Sequence, residues 1–457
     1  MQIFIKFLLC LVSWSCLATP AHKTLQWGAM DVVWLQDETF PTFSFNIYFA
    51  DGGLGDANNK SGTTQMMFNL LASGTSQQSQ SQIANQLDQL ALSFGAQAGY
   101  ESSVVSMKGL LREIKPSIDL FCHILHGATF SQQEINVNIS RAVSRLENIS
   151  ASPAEVAERT TNIYNFAGTP FENPLSGRLH TIKKLTQTDL AERWNFFKTK
   201  VKKKIFISGP KQLLDYEKYF AEKCSFITPG EVDRTTSIPA SALIPTSGKV
   251  IFVKIPNANQ VQIRYAAPLS ASIFKDRYDL VTLSSGILGS GFTSLLMQEV
   301  RVKKGYTYGV SAQASPRKLG GQSAISTFTK NETFLETVDT VEETLKNAQS
   351  TFSDNDHLES AKRFLVGRQL FQFDDSEKLL STFIAYDHLS RDFSEITDFG
   401  KNIKKYSAED FKATVNMFYP LGYQKYNWVF VGDESLVKKV KARWKDQVII
   451  LNVKDIL

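Results

Sequence analysis

The chain has 457 residues, 43% of them hydrophobic, with 50 Lys and Arg against 45 Asp and Glu and a net charge of +5. That is enough apolar material for two or more ordinary domains, and it excludes a disordered or fibrous protein. The small basic excess is scattered and forms no dense run, which argues against nucleic acid as a partner.

At the N-terminus, Lys6 precedes an apolar stretch from Phe7 to Leu17, with small residues at Ala18, Thr19 and Ala21. Spanning a bilayer takes about 20 residues, so this stretch is too short for a membrane helix. Residues 1–21 read as a secretory signal cleaved after Ala18 or Ala21. The mature protein is then expected to be exported, periplasmic in a Gram-negative source, with no integral membrane segment left. Ser13-Trp14-Ser15 before Cys16 is a poor lipoprotein signal. Cys10 and Cys16 leave with the signal, and Cys122 and Cys224 remain. An oxidising compartment permits a bridge between them. Cys122, however, lies in an apolar helical stretch with Ile118, Phe121 and Leu125, so a buried free thiol is the plainer expectation.

Along the mature chain, Phe43 to Phe49 alternates like a half-buried strand. Residues 62–75 follow as a helical pattern in which Met66, Met67, Leu70 and Leu71 form a core face. Gln65 and Asn69 are four apart and so share another face. His123 and His126 sit three apart on an apolar helix and read as core or boundary residues. Thr186-Gln-Thr-Asp-Leu190 opens a capped helix that leads to a strand at Ile205–Ser208. Residues 235–249, rich in Pro, Ser and Thr, read as a linker.

The pattern then starts again. Val261 to Tyr265 alternates, a long helical stretch follows, and Ser407-Ala-Glu-Asp-Phe411 opens a capped helix before a strand at Trp428–Val431. Asp189 and Asp410, Asn195 and Asn416, and Phe197 and Phe418 fall at equal offsets in the two halves. His357 and His388 stand alone. One α+β unit is therefore used twice, over 22–234 and 250–457, with strands and helices in separate clusters.

Two segments carry a resemblance. Residues 284–308 hold a Leu-Gly-Ser-Gly loop with Gly289 and Gly291, then a helical segment ending in Arg301, then Lys-Gly-Tyr-Thr-Tyr308. Together with 62–75 they resemble the peptidase M16 (pitrilysin-like) family over essentially the whole mature chain. Leu295 departs from the arginine that many members have there. The resemblance implies two homologous domains, each an antiparallel sheet packed with helices, which together form one half of a clamshell.

It also implies where zinc chemistry would sit, and the residues there are wrong for it. The inverted His-x-x-Glu-His positions are Gln65, Phe68 and Asn69. The later ligand position falls on Arg145 and its preceding acid on Asn138, with the register held by Pro153, Gly168-Thr-Pro170 and Leu175-Ser-Gly177. Carboxamides lack the imidazole nitrogen that zinc prefers, phenylalanine accepts no proton, and a cation repels the metal. No cofactor is expected in this chain. Some family members of this length pair as half-shells, one carrying zinc and the other only an Arg/Tyr pair, here Arg301 and Tyr308.

The expectation is therefore a catalytically incomplete subunit. It would pair with an M16 subunit that has an intact His-x-x-Glu-His and binds the zinc, help enclose peptide substrate, and supply Arg301 and Tyr308 in trans. The alternative is a purely structural or peptide-binding pseudoprotease. An active zinc peptidase with unusual ligands is the remaining and weaker reading.

Overall fold

The computed structural model describes residues 21–239, 247–371, 373, 375–422 and 424–457. The expected signal, apart from Ala21, and residues 240–246 of the expected linker lie outside the described residues. Among the described residues no helix is long and apolar enough to cross a membrane.

Two six-stranded sheets organise the chain. The first contains β1 (His22–Trp27), β2 (Met30–Gln36), β3 (Thr42–Phe49), β4 (Ser93–Ala98), β5 (Ser103–Leu110) and β6 (Lys203–Gly209), in the order β1-β2-β6-β3-β5-β4. The second contains β7 (Val250–Lys254), β8 (Gln260–Ser270), β9 (Val310–Arg317), β10 (Gly320–Lys330), β11 (Asn427–Gly432) and β12 (Val448–Asn452), in the order β12-β7-β11-β8-β10-β9. Five positions correspond in sequence order and in space: β2 to β7, β6 to β11, β3 to β8, β5 to β10 and β4 to β9. The outer strands differ. β1 pairs antiparallel with β2, whereas β12 pairs parallel with β7. Both sheets are otherwise antiparallel except for the parallel pairs β2–β6 and β7–β11, whose members are separated in the chain by three other strands of their sheet and the intervening helices.

The two capped helices form as their sequences dictate. Thr186 accepts from the Asp189 amide while Asp189 accepts from the Thr186 amide, and Ser407 and Asp410 repeat the exchange. The helices run Gln187–Thr199 and Ala408–Phe418.

β3 departs from expectation because it is buried on both faces. Phe43, Phe45, Ile47 and Phe49 face the core built with the helices of their own half. Tyr48 faces the other way, with Val33, Leu35 and Phe206, into a smaller cluster closed by Leu379, Leu380 and Phe383. Those last three come from the Ser376–His388 helix of the second half, which packs on β6. The counterpart helix of the first half, Pro153–Asn165, packs across β8 and β11 of the second sheet. The halves thus exchange one helix each.

The last residue of each exchanged helix is a polar anchor on the other half. Asn165, fully buried, accepts from Asn427 Nδ2 at 3.1 Å and donates to Gln322 Oε1 at 2.8 Å. His388 lies 2.8 Å from the Tyr48 hydroxyl through Nδ1 and 3.0 Å from the Glu101 carboxylate through Nε2. Glu101 also accepts from the Lys318 and Leu319 amides in the β9–β10 turn. His388 is therefore not the isolated residue its sequence context suggests.

Cys122 and Cys224 form a disulfide, so Cys122 is not a free thiol. The bond ties the Ile114–Gly127 helix to the end of the Glu217–Lys223 helix. Their Cα atoms are 5.2 Å apart although 102 positions separate them in sequence, and proximity in the fold decides pairing. Closing a loop of that size stabilises by about 4–5 kcal/mol in the chain-entropy description.

Candidate functional site

The Thr63–Asn69 helix is held at its start by a buried acid. Asp56 accepts from the Gly62 and Thr64 amides at 3.1 Å, which satisfies first-turn donors and complements the helix dipole. Burial pushes the Asp56 carboxyl upward, opposed by its bond to Thr64 and by the Arg193 guanidinium. Arg193 reaches Thr64 Oγ1 at 3.0 Å and pairs with fully buried Asp51 at 3.0 Å. Gly62 adopts a φ of +98°, where an added Cβ would lie 3.1 Å from the Gly177 backbone. The helix is thus fixed in place independently of any metal.

Beside it lies a cavity of about 720 Å³. Gln65, Asn69, Asn138 and Arg145 all line it, brought together by the packing of the first half from two helices, Thr63–Asn69 and Gln132–Asn148, with 62 residues of chain between them. Phe68 does not. Its side chain is 1% exposed and packs on Phe49, Trp194 and Phe197 at ring distances of 6.1, 6.3 and 5.3 Å. Phenylalanine at this position serves the core, on the side of the helix that the apolar neighbours already bury.

Within the cavity, Gln65 Nε2 donates to Asn69 Oδ1 at 2.9 Å, and Asn138 Nδ2 donates to the Glu134 carbonyl at 3.0 Å. The first pair still leaves one amide NH2 and one carbonyl oxygen unused, whichever way both groups are turned. The long helix brings a cation that the sequence reading missed. Arg141 sits three positions after Asn138 and four before Arg145, on the same stripe, and that helical spacing was the available signal.

Arg159, on the Pro153–Asn165 helix, forms part of the wall but is fully engaged. It donates to the carbonyls of Ile456 at 2.7 Å and Gly177 at 3.0 Å and to Ser176 Oγ at 3.2 Å. Burial and the nearby Arg178 bring its guanidinium down to about 10, so it stays charged at neutral pH. Glu155 and Glu158 of the same helix line the cavity as well.

The donor set does not fit zinc. Two carboxamides bonded to one another, a third bonded to its own helix, and an arginine supply no imidazole, thiolate or carboxylate at the ligand positions. Among the described residues no group of three or more His, Cys, Asp or Glu is placed to hold a metal ion. His123 is hydrogen-bonded to Thr75 at 3.0 Å, and His126 packs on Phe226.

The second candidate segment lies elsewhere, and neither Arg301 nor Tyr308 lines this cavity. The Tyr278–Gly289 helix packs so tightly on β9 that a Cβ on Gly289 would stand 2.1 Å from the Ala312 nitrogen. Gly291, with φ +92°, turns the chain into open space. Arg301 then falls within a seven-residue π-helical turn, Met297–Lys303. Gly305, with φ +64°, reverses the backbone, and the Tyr306 amide bonds back to the Val300 carbonyl at 3.0 Å. Arg301 stacks on the Phe292 ring at 4.6 Å, while Tyr308 is 78% exposed in the loop before β9.

Two such α+β repeats, with a cavity of amides and arginines beside the Thr63–Asn69 helix, are the frame to compare with known proteins. Residues 31–178 match the insulinase (peptidase family M16) profile and residues 184–365 match the peptidase M16 inactive domain. The chain belongs to the peptidase M16 family. It is 21% identical over 368 residues to the non-peptidase homolog YmxG of Helicobacter pylori, covering 80% of this chain and 84% of that one. It is also 21% identical over 308 residues to an uncharacterized zinc protease of Streptomyces coelicolor, covering 65% of each. Among solved structures, the M16 inactive domain of Pseudomonas fluorescens superposes with a TM-score of 0.80 at 22% identity, over 90% of this chain and 98% of that one. A Helicobacter pylori protease superposes with a TM-score of 0.76 at 15% identity, over 90% and 99%.

Proposed function

We propose that this chain is the metal-free subunit of an exported two-subunit M16 peptidase. It closes one half of a clamshell against a zinc-bearing subunit and supplies Arg301 and Tyr308 to that subunit's cleavage site. The observation that carries the reading is the outward display of this segment. Phe292, Val302 and Tyr308 are 66%, 57% and 78% exposed, next to a cation stacked on one of them. Exposed apolar side chains on one short segment, one of them stacked by an arginine, suit a contact surface. π-Helical turns cost backbone geometry and recur at functional sites. The disulfide suits an oxidising compartment, which supports export.

The chemistry assigns the roles. Arginine can grip a substrate carbonyl or carboxylate through its fork, and a tyrosine hydroxyl can donate to the oxyanion of a tetrahedral intermediate. Arg301→Ala or Tyr308→Phe should lower kcat of the reconstituted pair by about a hundredfold while its zinc content stays constant. Wild-type kcat in both variants rejects the in-trans role and leaves the alternative, a pseudoprotease that binds or scaffolds without catalysis.

A further inference from the structure

We propose that the cavity left by the lost zinc site is a carboxylate-binding site for peptides, with Arg141 and Arg145 as its cationic wall. The inference concerns this chain alone and holds with or without a zinc-bearing partner. Four of the five positions marked by the degenerate motif line one cavity of about 720 Å³, room enough for several peptide residues. Arg141 and Arg145 are one helical turn apart on the same stripe, both exposed to the opening. Among the described residues neither has a carboxylate within 4.0 Å, whereas Arg159 deeper in the wall is saturated by protein oxygens.

Two adjacent guanidinium groups without acids of their own suit an incoming carboxylate, which each can meet with paired N–H donors. The unused NH2 and carbonyl of the Gln65–Asn69 pair suit the amides that precede such a carboxylate. Across the cavity, Glu155 and Glu158 stand beyond 4.0 Å from both arginines. They give the cavity a second, negative wall for a basic residue of the same peptide, and they disfavour a polyanion. The replacement of metal ligands by amides and a cation thus changes the ligand from a metal ion to an anionic group.

The carboxylate can come from a peptide C-terminus or from an acidic side chain, and one experiment separates the two. The full mature chain is titrated calorimetrically with an unlabelled, N-acetylated pentapeptide, Ala-Lys-Ala-Ala-Leu, as the free acid, as the C-terminal amide, and as the amide with glutamate in place of the last alanine. At least one carboxylate form should bind about tenfold more tightly than the plain amide, a difference of about 1.4 kcal/mol. The double variant Arg141→Gln/Arg145→Gln, replacing two exposed side chains, should erase that ratio with its thermal midpoint unchanged. Preference for the free acid assigns a C-terminus, and preference for the glutamate form assigns a side chain. Equal binding of all three, no binding by any up to about 1 mM, or a ratio that survives in the double variant overturns the proposal. Loss of kcat in the reconstituted pair is a separate readout, so the two readings fail independently.

Discussion

Lys203, in β6, is 3% exposed, and among the described residues its ammonium meets only the Val201 carbonyl and the face of Phe49. Burial lowers its pKa from 10.5 to about 7. Between those two values the unfolded chain holds a proton that the folded one has released, so stability rises with pH, by at most about 1.4 kcal/mol per unit. Below the folded value both states are protonated and the full cost of burying the charge remains. Lys203→Met should therefore flatten the rise and add stability at about pH 6, as read by urea unfolding at several pH values. An unchanged slope would assign it to other groups. The same scale separates Phe68 from its neighbours. A motif alignment places it with Gln65 and Asn69, but the helix turns it 100° away from Asn69, and apolar character sends it to the Trp194 and Phe197 rings.

Gly289 shows how an element constrains a residue. The Tyr278–Gly289 helix reaches β9 only because position 289 has no side chain, and a methyl group would overlap backbone, which cannot swing aside. Gly289→Ala should cost about 1–3 kcal/mol or displace β9, seen as a lower denaturation midpoint. Gly291→Ala meets nothing within 4 Å, and any cost there comes from its φ of +92° alone. The elements legible in the sequence were those with local causes. Both capping boxes and the strands at Phe43, Val261, Ile205 and Trp428 follow from nearest neighbours and alternation. The cavity was legible in part. A motif spacing pointed to Gln65, Asn69, Asn138 and Arg145, yet Arg159 and Glu158 arrive on a third helix whose placement depends on the other half. His388 escaped notice for the same reason, since its partners lie 340 and 287 positions away.

For the molecule as a whole, the exchanged helices decide how it unfolds. Ser376–His388 covers the first sheet, Pro153–Asn165 covers the second, and each ends in a hydrogen-bonded polar anchor, fully buried at Asn165 and part-buried at His388. Removing either leaves buried apolar surface and unpaired polar groups in the opposite half. Two sheets with separate cores would ordinarily melt apart. Here calorimetry of the oxidised mature chain should give one transition, with calorimetric and van't Hoff enthalpies equal. Two resolved transitions would show that the exchange couples the halves weakly. The duplication itself was visible in sequence offsets, but the exchange was not, because an apolar helix face carries no label for the sheet it will cover.

That exchange also sets a timetable for synthesis. β2, β3 and β6 are all made by residue 209, yet the helix that covers Val33, Leu35, Tyr48 and Phe206 begins only at Ser376. At about 5–20 residues per second, the first sheet waits many seconds with one apolar face open to water and to other nascent chains. A chain that emerges in this order keeps that face uncovered until the Ser376–His388 helix has been made. The interval ends only when the second half arrives to complete the first.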